Sequence, residues 1–288
     1  MNAPIDVGIG AEARSGQAGW NARLTLGFER RGERTVLAQR RHQGPLRVQK
    51  ALYPEGEDVC QVILVHPPAG IAGGDDLQID VTVGDGAKAQ ITTPGAGKWY
   101  RSAGRLATLT QRVVVEAGGM CEWVPQESIV FDGALGSMLT EVELAPDAVY
   151  LGMETICLGR TGSGERLTRG SLRMETRLRR AGKTLWLERG RIDGGSGLMH
   201  SPAGLDGATV TGTLLAVGPP LDADGLARCR AIETESGQGT VTCLPGVLVA
   251  RYLGASSESA RRWLLALWQA LRPMMAGRPG IVPRIWNT

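Results

Sequence analysis

The sequence predicts a mainly β protein, and two observations carry that prediction. Apolar residues alternate with polar ones over short stretches, as in Leu77, Ile79, Val81 and Val83, and this period of two is typical of strands with one buried face. Clusters of glycine, proline and aspartate separate these stretches at short intervals, as turns between strands require. A chain of 288 residues of this kind forms either one all-β domain or two small domains.

The elements follow from the same two signals. Three segments predict β-hairpins: residues 77–91 around Gly84-Asp85-Gly86, residues 107–124 around Ala117-Gly118-Gly119, and residues 172–188 around Ala181-Gly182. In the third hairpin Leu172, Met174, Thr176 and Leu178 point one way and arginines and Glu175 point the other. Further strands are predicted near residues 22–28, 35–39, 59–65, 139–144, 150–158 and 209–217.

One segment near the C-terminus departs from the strand pattern. Residues 257–271 predict an amphipathic helix, with Ser257 as its N-cap and Pro273 as its stop. Its apolar stripe is expected to face the core, or alternatively to dock a partner helix. The stripe consists of Trp263, Leu264, Leu267, Trp268 and Leu271.

Composition excludes several classes of protein. No apolar run approaches the roughly 20 residues of a membrane span, and residues 1–19 lack a signal-peptide pattern, so we expect a flexible leader on a cytoplasmic protein. The five cysteines are widely spaced without a CxxC motif, which indicates reduced and mostly buried thiols. Arginines cluster between Arg166 and Arg191, but their alternation with apolar residues favours a solvated sheet face over nucleic-acid binding.

Two glycine-rich segments are the most unusual feature of the chain. The first glycine-rich segment (residues 66–76) and the second glycine-rich segment (residues 92–102) suggest a phosphate loop. A Walker loop, however, needs a glycine six residues before the lysine of its Gly-Lys pair and a Ser or Thr after that lysine; here these positions hold Thr92 and Trp99. No GxSxG elbow, dinucleotide fingerprint or closely spaced His and Cys ligand set is present either.

Two acidic residues have mostly apolar neighbours in the sequence. Glu122 stands between Cys121 and Trp123, and Glu154 lies within an apolar run over residues 150–158. An unpaired buried carboxylate is costly, so each is expected to have an arginine or backbone amides as partner. The alternative is a carboxylate that faces an internal polar channel or a passing cation.

An ordered series of motifs resembles the urease accessory protein family UreD, called UreH in some organisms. The resemblance extends from about residue 20 to the C-terminus, and Ala69 and Trp99 depart from the family pattern. The motifs are Gly44-Pro45-Leu46-Arg47-Val48-Gln49, Leu52-Tyr53-Pro54-Glu55, His66-Pro67-Pro68 with Gly70-Ile71 and Gly73-Gly74-Asp75, Thr92-Thr93-Pro94 with Ala96, Lys98 and Tyr100-Arg101-Ser102, Glu122-Trp123-Val124-Pro125-Gln126-Glu127, Leu158-Gly159-Arg160 with Gly164-Glu165, and Pro283-Arg284-Ile285-Trp286-Asn287-Thr288.

The resemblance implies an elongated, β-helix-like stack of sheets with few helices, forming one domain over residues 20–288. It implies a non-catalytic scaffold that binds the urease apoprotein, UreF and the GTPase UreG, and assists insertion of nickel into the urease active site. Nickel would be held only in transit, along an internal passage. By motif position, the resemblance assigns that passage to Glu154 and, more weakly, to Glu175.

Two other functions stay open on sequence alone. The first is a hydrolytic enzyme whose site is built from His66, Asp75 and Lys98 at the glycine-rich segments. The second is a basic binding module, whose affinity for its partner would fall steeply with salt.

Overall fold

The computed structural model describes residues 19–287 and confirms a mainly β protein with few helices. The predicted leader, apart from Gly19, lies outside the described residues. No helix in residues 19–287 is long and apolar enough to cross a membrane.

The three α-helices are α1 (Gly197–His200), α2 (Ala223–Arg230) and α3 (Ser257–Ala276). The strands are β1 (Asn21–Arg31), β2 (Arg34–Gln43), β3 (Arg47–Val48), β4 (Val59–Val65), β5 (Asp76–Val83), β6 (Lys88–Thr92), β7 (Gly97–Trp99), β8 (Ala107–Val115), β9 (Met120–Trp123), β10 (Ser128–Val130), β11 (Leu135–Leu144), β12 (Val149–Leu158), β13 (Ser171–Arg180), β14 (Lys183–Asp193), β15 (Val210–Val217), β16 (Gln238–Leu244) and β17 (Val247–Gly254).

The strands form two stacked sheets. The first sheet has the order β14-β13-β11-β8-β5-β1-β2, and its central strands run parallel. The second sheet has the order β16-β17-β15-β12-β9-β6-β4-β3, with β7 and β10 attached beside β12. Its strands β4, β6, β9 and β12 also run parallel.

Two of the three predicted hairpins are wrong, although the strands in them are placed well. β5 pairs with β1 and β8 in the first sheet, whereas β6 pairs with β4 and β9 in the second. The glycine turn at residues 84–87 therefore carries the chain across the sandwich, and residues 116–119 do the same between β8 and β9. Only the third segment is a hairpin, with β13 and β14 antiparallel. The alternation between sheets produces the β-solenoid-like coils that the resemblance implies.

The crossings stack on one another. The backbone N–H of Met120 donates to the carbonyl of Ala87 over 2.9 Å, and Val149 donates likewise to Gly119. The Asp147 carboxylate accepts a 3.0 Å hydrogen bond from the N–H of Gly118 in the coil below. Successive coils therefore stay in register, since each crossing satisfies the backbone polar groups of the next.

The core has two layers. One lies between the two sheets, and the other lies between the second sheet and α3. The whole predicted stripe of α3 is buried in the second layer, so its core-facing interpretation is confirmed. All five cysteines are free, and four of them are buried, as predicted.

The ends of α3 differ from the prediction. Its N-cap is Ser256, whose Oγ accepts a 3.1 Å hydrogen bond from the N–H of Ser259. Pro273 lies inside the helix, which ends at Ala276 before Gly277 takes a positive φ of 64°. The proline removes one backbone hydrogen bond, but Arg272 and Met275 on either side of it are buried, and their packing extends the helix by one more turn.

A buried ion network ties α3 to the sheets. The Arg272 guanidinium has no solvent exposure; its Nε lies 2.9 Å from Glu122 Oε1 and its Nη1 2.6 Å from Glu55 Oε2. Trp268 Nε1 and Gln90 Nε2 also donate to the Glu122 carboxylate, over 2.8 and 3.1 Å. Burial raises the pKa of the Glu122 carboxyl, and the Arg272 charge opposes that shift. The predicted partner for Glu122 is thus an arginine 150 residues away in sequence.

The outward residues of β13 confirm the solvated arginine face. Arg177 contacts Glu141 of β11 over 2.9 Å, and Arg112 of β8 contacts the same carboxylate over 3.1 Å. These pairs run across neighbouring strands on the outside of the first sheet, where they keep the long side chains in solvent.

We predict that Arg272→Ala destabilises the fold by about 3 to 5 kcal/mol, because it leaves the buried Glu122 carboxylate without a cation and the buried Glu55 carboxylate with only Arg278, 3.9 Å away. Arg262→Ala is the matched control on the same helix. Arg262 also pairs with two carboxylates, Glu235 and Glu258, but all three side chains are exposed, so a change below about 1 kcal/mol is expected. Urea unfolding of both variants checks this; equal stability of the Arg272→Ala variant and the unaltered chain would contradict it.

Candidate functional site

A cavity of about 360 Å³ lies between the two sheets. Inward side chains of both sheets line it, together with parts of the first and second glycine-rich segments. Residues in this interior would ordinarily be apolar, because sandwich cores are built from the inward faces of both sheets. The polar groups in the lining are therefore the informative ones.

A row of polar residues crosses the inner face of the first sheet. Gln111, Thr140, Thr176 and Glu188 occupy paired positions on β8, β11, β13 and β14. All four line the cavity, and Gln111 Nε2 donates to Thr140 Oγ1 over 3.1 Å. In-register stacking thus turns one polar position per strand into a continuous hydrophilic row that ends at the edge strand β14.

A second row lies opposite on the second sheet. Glu154, Thr213 and Arg251 are paired across β12, β15 and β17. Arg251 Nη2 lies 2.7 Å from Glu188 Oε2 and its Nη1 donates to Thr213 Oγ1 over 3.0 Å. The Arg251 and Glu188 pair therefore joins the two rows near the edge of the sandwich.

Glu154 differs from the other carboxylates inside the protein. No described residue donates a hydrogen bond to its side chain or forms an ion pair with it, yet the side chain lines the cavity. Burial and the Glu188 charge together raise the pKa of Glu154 to about 7, against the opposing effect of the Arg251 charge. A carboxyl with no protein partner, titrating near neutrality, is available to a cation or a proton in the cavity.

Tyr150 and Gly152 shape the space beside Glu154. The Tyr150 ring lies over Gly152, where a Cβ atom would be 2.4 Å from the Tyr150 Oη. Both residues line the cavity, and burial raises the pKa of the Tyr150 hydroxyl. Glycine at position 152 is therefore required for this ring position, because any side chain there would displace the ring.

The first glycine-rich segment forms part of the cavity wall at His66 and a turn in which a backbone N–H group binds Asp75. His66 lines the cavity; its Nε2 is buried without a hydrogen-bond partner, and burial lowers the pKa of its imidazole. Ala69 has a φ of 64°, so this departure from the family pattern lies at a strained position. The buried Asp75 accepts 2.8 Å hydrogen bonds from the N–H groups of Trp20 and Ala72.

The second glycine-rich segment contains the short strand β7 and no helix. Lys98 lines the cavity, and the Oγ1 of Thr93 accepts a 2.9 Å hydrogen bond from the N–H of Gln126. Trp99 is buried and occupies the space above Gly136, where a Cβ would lie 2.7 Å from its ring. Both segments therefore serve as close crossings between coils, as glycine allows.

The family-motif residues lie in different parts of the structure, and only some of them line the cavity. Glu122 belongs to the buried ion network, and Tyr100 packs edge-on against Phe131 with ring centroids 5.2 Å apart. Gly73, Gly74, Asp75, Arg101, Arg160 and Glu165 lie in the loops at one end of the coils, and Pro67 and Pro68 form an exposed turn. The motif residues that line the cavity are Leu46, His66, Gly70, Ile71, Thr93, Pro94, Ala96, Lys98, Trp123, Pro125 and Gln126.

The structure does not place Glu175 at the cavity, and it does not assemble the alternative hydrolase site around Asp75. Glu175 lies on the outer face of β13, where it pairs with Arg177 over 2.6 Å and with Arg189 over 3.0 Å. Its neighbour Thr176 lines the cavity instead. In the hydrolase alternative, both Asp75 oxygens already accept backbone hydrogen bonds, so Asp75 is not free to orient His66.

Sequence reasoning missed Tyr150, Glu188 and Arg251. Tyr150 and Glu154 were in one predicted strand with equal parity, which places them on the same face. Glu188 and Arg251 carried no such signal. Glu188 lies on the edge strand β14, where charged residues are usually solvated, and Arg251 lies on β17, which was not among the predicted strands. In residues 19–287, no group of three or more His, Cys, Asp or Glu side chains is arranged to hold a metal ion.

We predict a pH signature for Glu154. Between about pH 4.5 and about pH 7 the folded chain keeps a proton on Glu154 that the unfolded chain has released, so the free energy of unfolding falls as pH rises, by up to about 3 kcal/mol, and levels off above pH 7. Glu154→Gln removes this contribution. Urea unfolding from about pH 5 to about pH 8 measures it as the difference between the two proteins; parallel curves would contradict the assignment.

Comparison with known proteins places the chain in a family. A profile of the family described as UreD urease accessory protein matches residues 21–287. A protein of Azoarcus sp. named urease accessory protein UreD is 58% identical over 288 residues, covering 100% of both chains. Proteins of the same name from Dechloromonas aromatica and Nitrosococcus oceani are 55% and 51% identical, each over 93% of this chain and over 95% and 90% of their own lengths. The chain, over nearly its whole length, belongs to the UreD family of urease accessory proteins.

Proposed function

We propose that this protein is a non-catalytic urease maturation factor, which binds the urease apoprotein together with UreF and UreG and assists GTP-dependent insertion of nickel. Family membership supports the role in urease maturation. The nickel role proposed here rests on Glu154, a carboxylate on the cavity wall that has no hydrogen-bond or ion-pair partner among the described residues.

The cavity is suited to passage of an ion rather than to storage. Its volume of about 360 Å³ exceeds the roughly 180 Å³ occupied by six water molecules, so a hydrated divalent ion fits. Glu154 offers one carboxylate, and the polar rows offer hydroxyl and amide groups to the hydration shell. A single charged ligand holds a cation weakly, and weak binding allows release.

The phosphate chemistry would belong to UreG. The second glycine-rich segment leads from β7 into a loop and β8, without the helix whose N-terminus binds phosphate in a P-loop. Asp75 is committed to backbone amides, which disfavours a hydrolytic site at the glycine-rich segments. We therefore propose no turnover by this chain, no permanently bound cofactor and a place of action in the cytoplasm, with UreG and GTP.

We predict that Glu154→Ala lowers nickel loading of urease without preventing complex formation. The assay combines purified urease apoprotein, UreF, UreG, GTP and nickel, with or without this chain, and measures nickel per urease and urease activity. The unaltered chain should raise both values above the reaction without it. Glu154→Ala should lower nickel per urease about tenfold, because the cation loses the one free carboxylate that residues 19–287 place on the cavity wall.

Glu116→Ala is the matched control, since Glu116 is an exposed carboxylate outside the cavity. It should load nickel like the unaltered chain. Size-exclusion chromatography must show equal complexes for all three proteins. Normal loading by Glu154→Ala would exclude the Glu154 route, whereas equal loading with and without the unaltered chain would reject the maturation function itself.

A further inference from the structure

Exposed arginines gather where the coils return from the second sheet to the first. They lie in the loops of residues 100–106 and 159–170, at the end of the sandwich where β5, β8, β11 and β13 begin. We call this the arginine surface, and it consists of Arg101, Arg105, Arg160, Arg166 and Arg169.

Two carboxylates hold the arginine surface in place from below. The buried Asp132 accepts hydrogen bonds from the N–H groups of Thr168 and Arg169 and lies 3.0 Å from Arg169 Nη2, while its carbonyl accepts from Arg101 Nε. Glu165 contacts Arg160 over 2.6 Å. Burial raises the pKa of Asp132, but the bonds from Thr168 and Arg169 more than offset this and hold the carboxyl well below its usual range.

The guanidinium groups nevertheless face solvent. Arg101 and Arg169 expose 64% and 69% of their side chains, whereas the Asp132 side chain is only 10% exposed. Ion pairs this exposed contribute little to folding stability. The arrangement instead fixes positive charges outward and negative charges inward, so the surface presents a positive potential on pre-ordered side chains.

Two large apolar side chains adjoin the arginine surface. Trp20 is 56% exposed and Leu106 is 49% exposed. Their backbones bond to the first glycine-rich segment: Asp76 donates to the carbonyl of Trp20 over 2.8 Å, and Gly74 donates to that of Leu106 over 3.0 Å. The Arg105 guanidinium lies over Gly74, where a Cβ would be 2.4 Å from its Cζ, so tryptophan, leucine and arginine form one contiguous patch.

The patch and the cavity share the two glycine-rich segments. Ile71 and Lys98 line the cavity, and three residues further along their segments Gly74 and Arg101 belong to the patch. A protein seated on this surface would therefore contact the same two glycine-rich segments that form one cavity wall.

We propose that the arginine surface, with Trp20 and Leu106, docks an acidic face of a partner protein. Arginine and tryptophan beside an exposed aliphatic residue are typical of protein interfaces, where charge guides approach and the apolar anchors are buried. Nucleic acid is disfavoured because the net charge is only +3 and Trp20 is the one well-exposed aromatic side chain that the described residues place in the patch for stacking. This inference rests on the proposed function, which supplies the partners: the urease apoprotein, UreF or UreG.

The test measures dissociation constants of the full chain with each of these three purified proteins, at low and at physiological ionic strength. The surface variant Arg101→Gln/Arg105→Gln removes two charges from the patch. The control Arg40→Gln/Arg41→Gln removes two charges from exposed positions on the edge strand β2. Both must match the unaltered chain in circular dichroism and thermal midpoint.

For one of the three partners, we expect the surface variant to weaken binding about tenfold and to bind with a shallower salt dependence, while the control stays within about twofold. Trp20→Ser should weaken the same complex without changing its salt dependence.

Equal effects of both double variants, or no effect of the surface variant on any partner, overturn the inference. So does loss of binding to phosphatidylserine vesicles in place of a partner, which would assign the patch to membranes. If the unaltered chain binds none of the three proteins, the proposed function fails as well. If the unaltered chain binds and supports nickel loading, and the surface variant binds every partner as tightly as the unaltered chain, only the docking inference fails.

Discussion

The parallel pairing of strands from successive coils is the constraint on which the rest of the structure depends. Parallel neighbours cannot be joined by a tight turn, so the chain must cross to the other sheet before it returns. The crossings at residues 84–87, 116–119 and 145–148 meet this requirement three times. Because each coil lies in register on the last, a polar residue at one inward position finds polar neighbours above and below, as Thr140 does between Gln111 and Thr176. The hydrophilic rows and the cavity are consequences of that stacking.

The helix layer gives the second sheet a different environment from the first. β6 and β9 are buried on both faces, whereas β5 and β8 keep one face in solvent. A charge on the helix side of β9 therefore needs a partner from α3, and Arg272 supplies it for Glu122. Glu154, on the neighbouring strand β12, faces the cavity instead and has no such partner. The contrast between these two glutamates separates the part of the interior that fixes the fold from the part that is free to receive a ligand.

Local patterns predicted most strands and the buried stripe of α3. Apolar residues repeat every two positions in a strand and about every 3.6 positions in a helix when one face of the element packs against the core. These patterns could not predict which strands pair. A glycine turn between two alternating segments is equally compatible with a hairpin and with a crossing, and only the third segment, between β13 and β14, proved to be a hairpin. For the same reason the sequence suggested that Glu122 needed a partner but could not identify Arg272, which comes from a distant element.

The candidate site was predictable to a similar extent. Glu154 was selected by its apolar surroundings, and it lines the cavity. Glu175 followed from the resemblance alone, although alternation along β13 had already placed Thr176 with the inward residues. The pair of Glu188 and Arg251 depends on the distance between β14 and β17, two strands of different sheets, which no local pattern contains.

The central claim is that this protein enables nickel to reach urease. Deletion of its gene alone, in cells that retain the urease and other accessory genes, tests that claim most directly when purified urease is assayed for nickel content. The account predicts abundant urease protein that lacks nickel and activity, restored by a plasmid-borne copy of this gene. Nickel-replete, active urease in the deletion strain would contradict it.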